Sequence, residues 1–345
     1  MVILRILLFP FAILYNLVTW LRNRLYDQGL KPSIKFELPV IGVGNLTVGG
    51  TGKTPLIEYL IRLLARNYQV ATLSRGYGRN TKGFRMAEVT DSAATIGDEP
   101  FQFHVKFGDR VKVVVGEERA LAIANILQFV PRTEVILLDD AFQHRRVIPS
   151  LNILLTDYHR PFYEDFLLPA GRLRESRSGA ERADIVIVTK CPQEITDEHM
   201  MEIEKSVREF VEKPVFFTHI RYGNPTPFGR PNQRLGDQIA LLSGISNPRP
   251  LAHYVAQNFK MKTHFNYSDH HPYRAADIER LHRFIEENPG ASILTTEKDK
   301  VKLAAPEFES LIKRLPIFYL PIEVEFIKNG QDFDEMVLNS IRRAG

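Results

Sequence analysis

One cysteine, Cys191, stands among 345 residues, which excludes an internal disulfide framework and suits a reducing compartment. No Cys/His cluster has the spacing of zinc ligands, so a structural metal is not expected. Internal repeats and low-complexity tracts are absent, leaving no basis for a repeat architecture or a disordered tract. An excess of one charge is missing as well. Forty-five Lys and Arg against 41 Asp and Glu give a net charge of +4, too small to imply nucleic acid, and no such partner is expected. What remains is ordinary globular composition, 44% hydrophobic and 25% charged, in a chain longer than one typical domain. Two packed domains are expected.

Long apolar runs are scarce, with one exception. "ILLFPFAILYNLVTWL", residues 6–21, carries no charge and is bracketed by Arg5 and by Arg22 and Arg24. A span needs about 20 residues of helix, and this run is shorter and interrupted by Pro10 and Asn16, so lying in the membrane interface stands beside crossing it. A buried core helix is the bland alternative. A cleaved signal peptide fits poorly because no A-x-A-like site follows. Trp20 and Tyr26 suit an interfacial belt, and the arginines place that end on the cytoplasmic side.

Beyond residue 30, short β-branched runs alternate with helix-like segments, the pattern of a parallel, doubly wound sheet. "LPVIGVGN" (38–45) reads as a buried strand, "VGGTGKTP" as a glycine loop, and "PLIEYLIRLLARN" as an amphipathic helix. Strand, loop, helix is the context of a phosphate loop. Thr47 replaces its usual first glycine, while Val48, Gly49, Gly50, Thr51 and Gly52 keep the loop compact. Lys53 is placed to reach the β and γ phosphates and Thr54 to take Mg²⁺. A Pro/Gly-rich stretch, 222–237, reads as a linker, after which "IALLSGI", "MKTHFNYS", "ASILTT" and "PIFYLPIEVEF" alternate with helices. The expected architecture is α/β: an N-terminal membrane-associated helix (1–26), a P-loop NTPase-type doubly wound domain (27–221) and a smaller C-terminal α/β domain (222–345) that includes the linker.

A phosphate loop calls for a carboxylate at the end of another buried strand. "EVILLDD" offers Asp139 and Asp140; either can hold the metal shell, Asp139 being preferred, and Asp140 can instead cap a helix opened by "DDAFQH". The turn "GDEP" carries Asp98 and Glu99, and transfer to an alcohol needs a carboxylate near the γ phosphate. "SDHHPY" offers Asp269, His270 and His271, which either cap a following helix or pair a histidine with Asp98 across an interdomain cleft. Among the arginines of "LLPAGRLRES", "RGYGRN" and "QHRRV", Arg172 and Arg75 are assigned to an acceptor that is itself phosphorylated.

"NLTVGGTGKTP", "SRGYGR", "GDEP", "LLDDAFQHR", "LLPAGRLRE", "VVTK", "DHHPY" and "TTEKDKVKL", in that order behind an apolar helix, resemble the tetraacyldisaccharide 4'-kinases of lipid A biosynthesis over nearly the whole chain. The resemblance implies Mg²⁺-dependent transfer of the ATP γ phosphate to the 4'-hydroxyl of an acylated glucosamine disaccharide 1-phosphate, yielding lipid IVA at the cytoplasmic face of the bacterial inner membrane. It makes Asp98 the general base, assisted by His270, and puts Lys53 and Thr54 on phosphate and metal. The altered first position, Thr47, fits that family. A membrane-associated regulatory or targeting ATPase or GTPase is the alternative, but a guanine-reading Asn-Lys-x-Asp appears here only as "TKCP", with Thr189 and Pro192 at the discriminating places.

Overall fold

In the computed structural model, which describes residues 2–231 and 233–344, the apolar runs assemble into two sheets. The larger has nine strands in the order Ile322–Phe326, Val215–Tyr222, Ile185–Thr189, Leu151–Asp157, Val40–Asn45, Val135–Asp139, Val70–Ser74, Val111–Val115 and Arg85–Met86. All neighbours pair in parallel except the strand at each edge, which runs antiparallel. Helices cover both faces of such a sheet, so its central strands are apolar at nearly every position rather than at alternate ones. Helix Lys53–Leu64 sets Ile57, Leu60, Ile61 and Leu64 against Ile41, Val43 and Leu137 with no solvent exposure. Each such side chain contributes roughly 1.5–3 kcal/mol.

Val40–Asn45 lies at the centre with Val135–Asp139 on one side and Leu151–Asp157 on the other; the connection after Val40–Asn45 runs to one side, and the one after Val135–Asp139 runs to the other. That is where an open α/β sheet parts the loops at its carboxyl edge. The glycine loop and the Asp139-Asp140 pair both emerge there.

The smaller sheet has the order Lys260–Asn266, Gln238–Ser243, Ala291–Thr296, Ile317–Leu320 and Thr226–Pro227. Its last strand comes from the Pro/Gly-rich stretch, and Pro227 is tolerated because the strand is an edge. One boundary differs from the sequence expectation. Residues 222–345 do not form a single smaller unit, because "PIFYLPIEVEF" divides at Pro321: Ile317–Leu320 joins the small sheet, and Ile322–Phe326 returns to the large one. Helix Gly330–Ala344 follows it and buries Phe333, Val337 and Ile341 in the large sheet's core. The chain therefore crosses between the units twice.

The N-terminal helix runs unbroken from Val2 to Asp27 through Pro10, about 39 Å at 1.5 Å per residue. It is not a core helix: among its described side chains only Ala12 is buried. Its amphipathicity is inverted relative to a helix covering a soluble domain. Ala12, Tyr15, Thr19, Arg22, Asn23 and Tyr26 face the protein, whereas Leu7, Phe11, Leu14, Val18 and Leu21 on the opposite side are 52–65% exposed. Contacts run along its flank, from the Arg5 guanidinium over the Phe166 ring to the Asp27–Arg145 ion pair.

Candidate active site

The site begins where strand Val40–Asn45 gives way to the glycine loop. Gly49 and Gly52 sit at φ 112° and 85°, a region that a β-carbon disfavours, and Gly52 is the residue from which helix Lys53–Leu64 starts. Neighbouring segments hold the loop in place. Val48 N–H donates to the Arg172 carbonyl at 2.8 Å, Asn45 Nδ2 to the Thr47 carbonyl at 2.6 Å, and Thr189 Oγ1 to the Thr51 carbonyl at 2.8 Å. Lys190 Nζ donates to the Gly50 carbonyl. A glycine-rich approach ending on a helix N-terminus is an anion-binding geometry, because unpaired N–H groups and the helix dipole favour negative charge. Thr54 follows in the first helical turn.

Lys53 Nζ lies 3.1 Å from Asn45 Oδ1 and 3.4 Å from Asp140 Oδ1. Asp140 also takes a forked pair of bonds from Arg174, each 2.8 Å. Burial pushes its carboxyl up, but the Lys53 and Arg174 cations outweigh this and hold it well below the ordinary aspartate range. Asp139 is the reverse case. It is buried, its Oδ1 has no hydrogen-bond partner, and burial pushes its carboxyl up to about 6 against the pull of Lys53. Asp140 does not open a helix as the sequence allowed: its φ is 51° and turns follow it.

Asp98 occupies the first turn of helix Asp98–Phe107, behind Gly97 at φ 96°. Its Oδ2 lies 3.0 Å from His270 Nδ1, which arrives from the smaller unit, so the expected interdomain pairing is present in the geometry. Burial raises the Asp98 carboxyl, but the His270 hydrogen bond and the Lys302 and Lys298 ammoniums prevail and keep it below its usual value. His270 is raised above its usual value, chiefly by that same bond. His271 takes the other role the sequence allowed, bonding Asp277 at 3.0 Å in the first turn of helix Ala275–Glu287.

The side chains of the two selected arginines make none of these contacts. Arg172 borders a cavity lined by Thr47–Thr51, Asp157, Lys190 and Ser246. Arg75 is exposed beyond strand Val70–Ser74, beside Arg119 and His144. The latter two are desolvated: burial takes Arg119 down to about 10, and burial followed by the Arg119 charge takes His144 down to about 4. Arg174, which the sequence reading passed over, is the arginine at the centre. Nothing adjacent in "GRLRE" singles it out; the antiparallel bridge from Leu173 to Thr47, a tertiary pairing, brings the segment to the strand end.

No group of three or more His, Cys, Asp or Glu among the described residues is arranged to hold a metal on protein ligands alone. Mg²⁺ in nucleotide sites takes most of its ligands from phosphate and water, and the buried, unpartnered Asp139 Oδ1 fits a site of that kind.

A doubly wound sheet with a lysine-bearing glycine loop, a strand-end aspartate pair and an Asp-His couple joining two units defines a phosphate-loop phosphotransferase. The chain belongs to the tetraacyldisaccharide-1-P 4'-kinase (LpxK) family, whose profile matches residues 4–342. It is 45% identical over 346 residues to the tetraacyldisaccharide 4'-kinase of Flavobacterium johnsoniae, covering 99% of this chain and 98% of that protein. The tetraacyldisaccharide 4'-kinase of Phocaeicola vulgatus is 43% identical, covering 97% and 95%. Among solved structures, LpxK from Aquifex aeolicus in complex with ATP superposes with a TM-score of 0.76 at 30% identity, covering 98% of this chain and 99% of that one.

Proposed function

We propose that the protein transfers the γ phosphate of ATP to the 4'-hydroxyl of a tetraacyldisaccharide 1-phosphate, forming lipid IVA at the cytoplasmic face of the bacterial inner membrane. The observation that carries this reading is the Asp98–His270 couple, 3.0 Å apart and held between the two units. A P-loop hydrolase needs only to orient water; a half-buried carboxylate hydrogen-bonded to a histidine suits an alcohol nucleophile.

In this reading residues Thr47–Thr54 cradle the phosphates and Lys53 neutralises charge developing on the transferred group. Thr54 and Asp139 would hold Mg²⁺, which would supply neutralisation of phosphate charge. Asp140 is taken up by Lys53 and Arg174 and keeps both cations aimed at the loop. Asp98 accepts the hydroxyl proton, and His270 orients that carboxylate. Arg75 and Arg172 receive the acceptor's own phosphate. The outward apolar face of helix Val2–Asp27 rests in the bilayer surface, where the acylated acceptor resides; flank contacts from Arg5 to Asp27 support lying flat over crossing.

Transfer of labelled γ phosphate to tetraacyldisaccharide 1-phosphate in detergent micelles tests the reading. Wild type labels the lipid, Lys53→Ala does not, and Asp98→Ala keeps ATP binding while losing about 100-fold or more in turnover. ATP hydrolysis by wild type with no labelled lipid sinks the acceptor assignment and favours a membrane ATPase.

A further inference from the structure

Part of the sequence segment "TTEKDKVKL" lies against the Asp98–His270 couple and has no role in the scheme above. Lys298 Nζ stands 3.1 Å from His270 Nε2, 3.1 Å from Asp269 Oδ1 and 3.2 Å from Glu99 Oε1. An ammonium has three N–H donors and no lone pair, so Lys298 donates to His270 Nε2 and Asp269 Oδ1 and pairs ionically with Glu99. His270 Nε2 therefore accepts, and the ring proton resides on Nδ1, facing Asp98 Oδ2 at 3.0 Å. We propose that Lys298 is a positioning residue for the catalytic couple: by occupying Nε2 it holds His270 in the neutral Nδ1–H tautomer that donates to the Asp98 carboxylate.

The surroundings make such a lock necessary. Carboxylates of Asp98, Glu99 and Asp269 all face His270 and draw a second proton onto it. Lys298 opposes them directly; Lys302 does so from 3.8 Å off Asp98, and the Tyr77 ring covers the imidazole with centroids 5.3 Å apart. Lys298 remains a cation because Glu99 and Asp269 outweigh the effect of its burial.

The lock is also preassembled. Helix Glu297–Leu303 starts at Thr296, whose Oγ1 accepts from Asp299 N–H at 2.9 Å, and the buried Asp299 Oδ2 accepts from Gly244 N–H at 2.9 Å. Lys298, Asp269 and His270 thus come as one block from the smaller unit, and the larger unit brings Asp98 and Glu99 to it. Without Lys298 the ring is free to become imidazolium, whose stronger donation makes Asp98 a poorer base.

The rate consequence rests on the proposed kinase reading; the tautomer does not. Nitrogen-15 NMR of histidine-labelled full-length protein in micelles, at one pH where the wild-type rate profile has just reached its alkaline plateau, reads it directly. Wild type shows His270 protonated at Nδ1 and bare at Nε2. Lys298→Met, which keeps length and loses the donor, shows protonated Nε2, loses about tenfold in kcat with KM for ATP unchanged, and moves the acidic limb to higher pH. Lys298→Gln, whose amide still donates, recovers part of both. A wild-type ring protonated at Nε2, or a Lys298→Met protein with wild-type ring shifts and pH profile, overturns the proposal. Misfolding of a variant is detected by lost stabilisation with ATP, and the wild-type spectrum then decides. If wild type phosphorylates no lipid, the kinase reading falls while the spectrum still tests the lock.

Discussion

Asp139 and Asp140 share a strand end and differ in what surrounds them. Asp140 is paired with two cations, whereas Asp139 is buried with an unpartnered oxygen and a carboxyl pushed up to about 6. An acid whose pKa is raised on folding weakens the fold once it ionises. Between its ordinary 3.8 and about 6 the folded protein holds a proton that the unfolded chain has released, so stability falls as pH rises through that window. At neutral pH the full penalty, about 3 kcal/mol at one pKa unit per 1.4 kcal/mol, is present in the nucleotide-free protein. Asp139→Asn is therefore expected to raise Tm at neutral pH without nucleotide, with the gain gone near pH 4, and to abolish phosphate transfer. Melting curves across pH check this; an unchanged Tm at neutral pH means that burial of this carboxylate costs nothing.

At the scale of elements, the placement of Asp98, the proposed base, depends on how its helix starts. Gly97 sits at φ 96°, and a β-carbon there would lie 3.0 Å from Gly76 Cα, backbone that has little room to yield. Gly97→Ala is expected to cost about 1–3 kcal/mol from strain at positive φ together with the contact. Because the displaced element is the turn carrying Asp98, kcat should fall further than the loss of folded protein explains. Thermal melts and turnover on the same sample separate the two; equal losses would mean that the turn tolerates displacement. The N-terminal helix acts on the site at the same scale, since Tyr15 Oη donates to the Arg174 carbonyl at 2.8 Å and Asn23 Nδ2 to Glu175 at 2.6 Å. The helix with the exposed apolar face thus holds the segment that positions Asp140.

For the whole molecule, one polar cluster ties the two units together beside the Asp98–His270 contact. Lys106 Nζ bonds Glu58 at 2.7 Å within the larger unit and both oxygens of Glu297 in the smaller at 2.8 and 2.9 Å. Glu58 is 1% exposed, and burial raises its carboxyl despite the Lys106 charge. Removing the cation strands a buried acid, so Lys106→Met is expected to destabilise by about 3 kcal/mol and loosen the docking that brings His270 to Asp98. Adding Glu58→Gln should return much of that loss. A double-mutant cycle by urea unfolding reads the coupling, and additive effects would show that Lys106 and Glu58 act independently.

Adjacent residues were enough to read the phosphate loop, the strand before it, the helix after it and the order of Lys53 and Thr54, because those features follow from local backbone rules and a period of apolar residues. The Asp98–His270 pairing was legible only as one of two choices for "SDHHPY", since on local signals alone a histidine beside a helix start serves more often as a cap than as a distant partner. Arg174, Lys298, Lys302 and the return of Ile322–Phe326 to the large sheet lay beyond that reach. Arg174 meets Asn45 across 129 positions and Lys106 meets Glu297 across 191. Which charged side chain finds which partner over such separations is decided by how the sheets and helices pack. Neighbouring residues dictate the loop that receives phosphate; the docking of two units decides which lysine, histidine and aspartate stand opposite it.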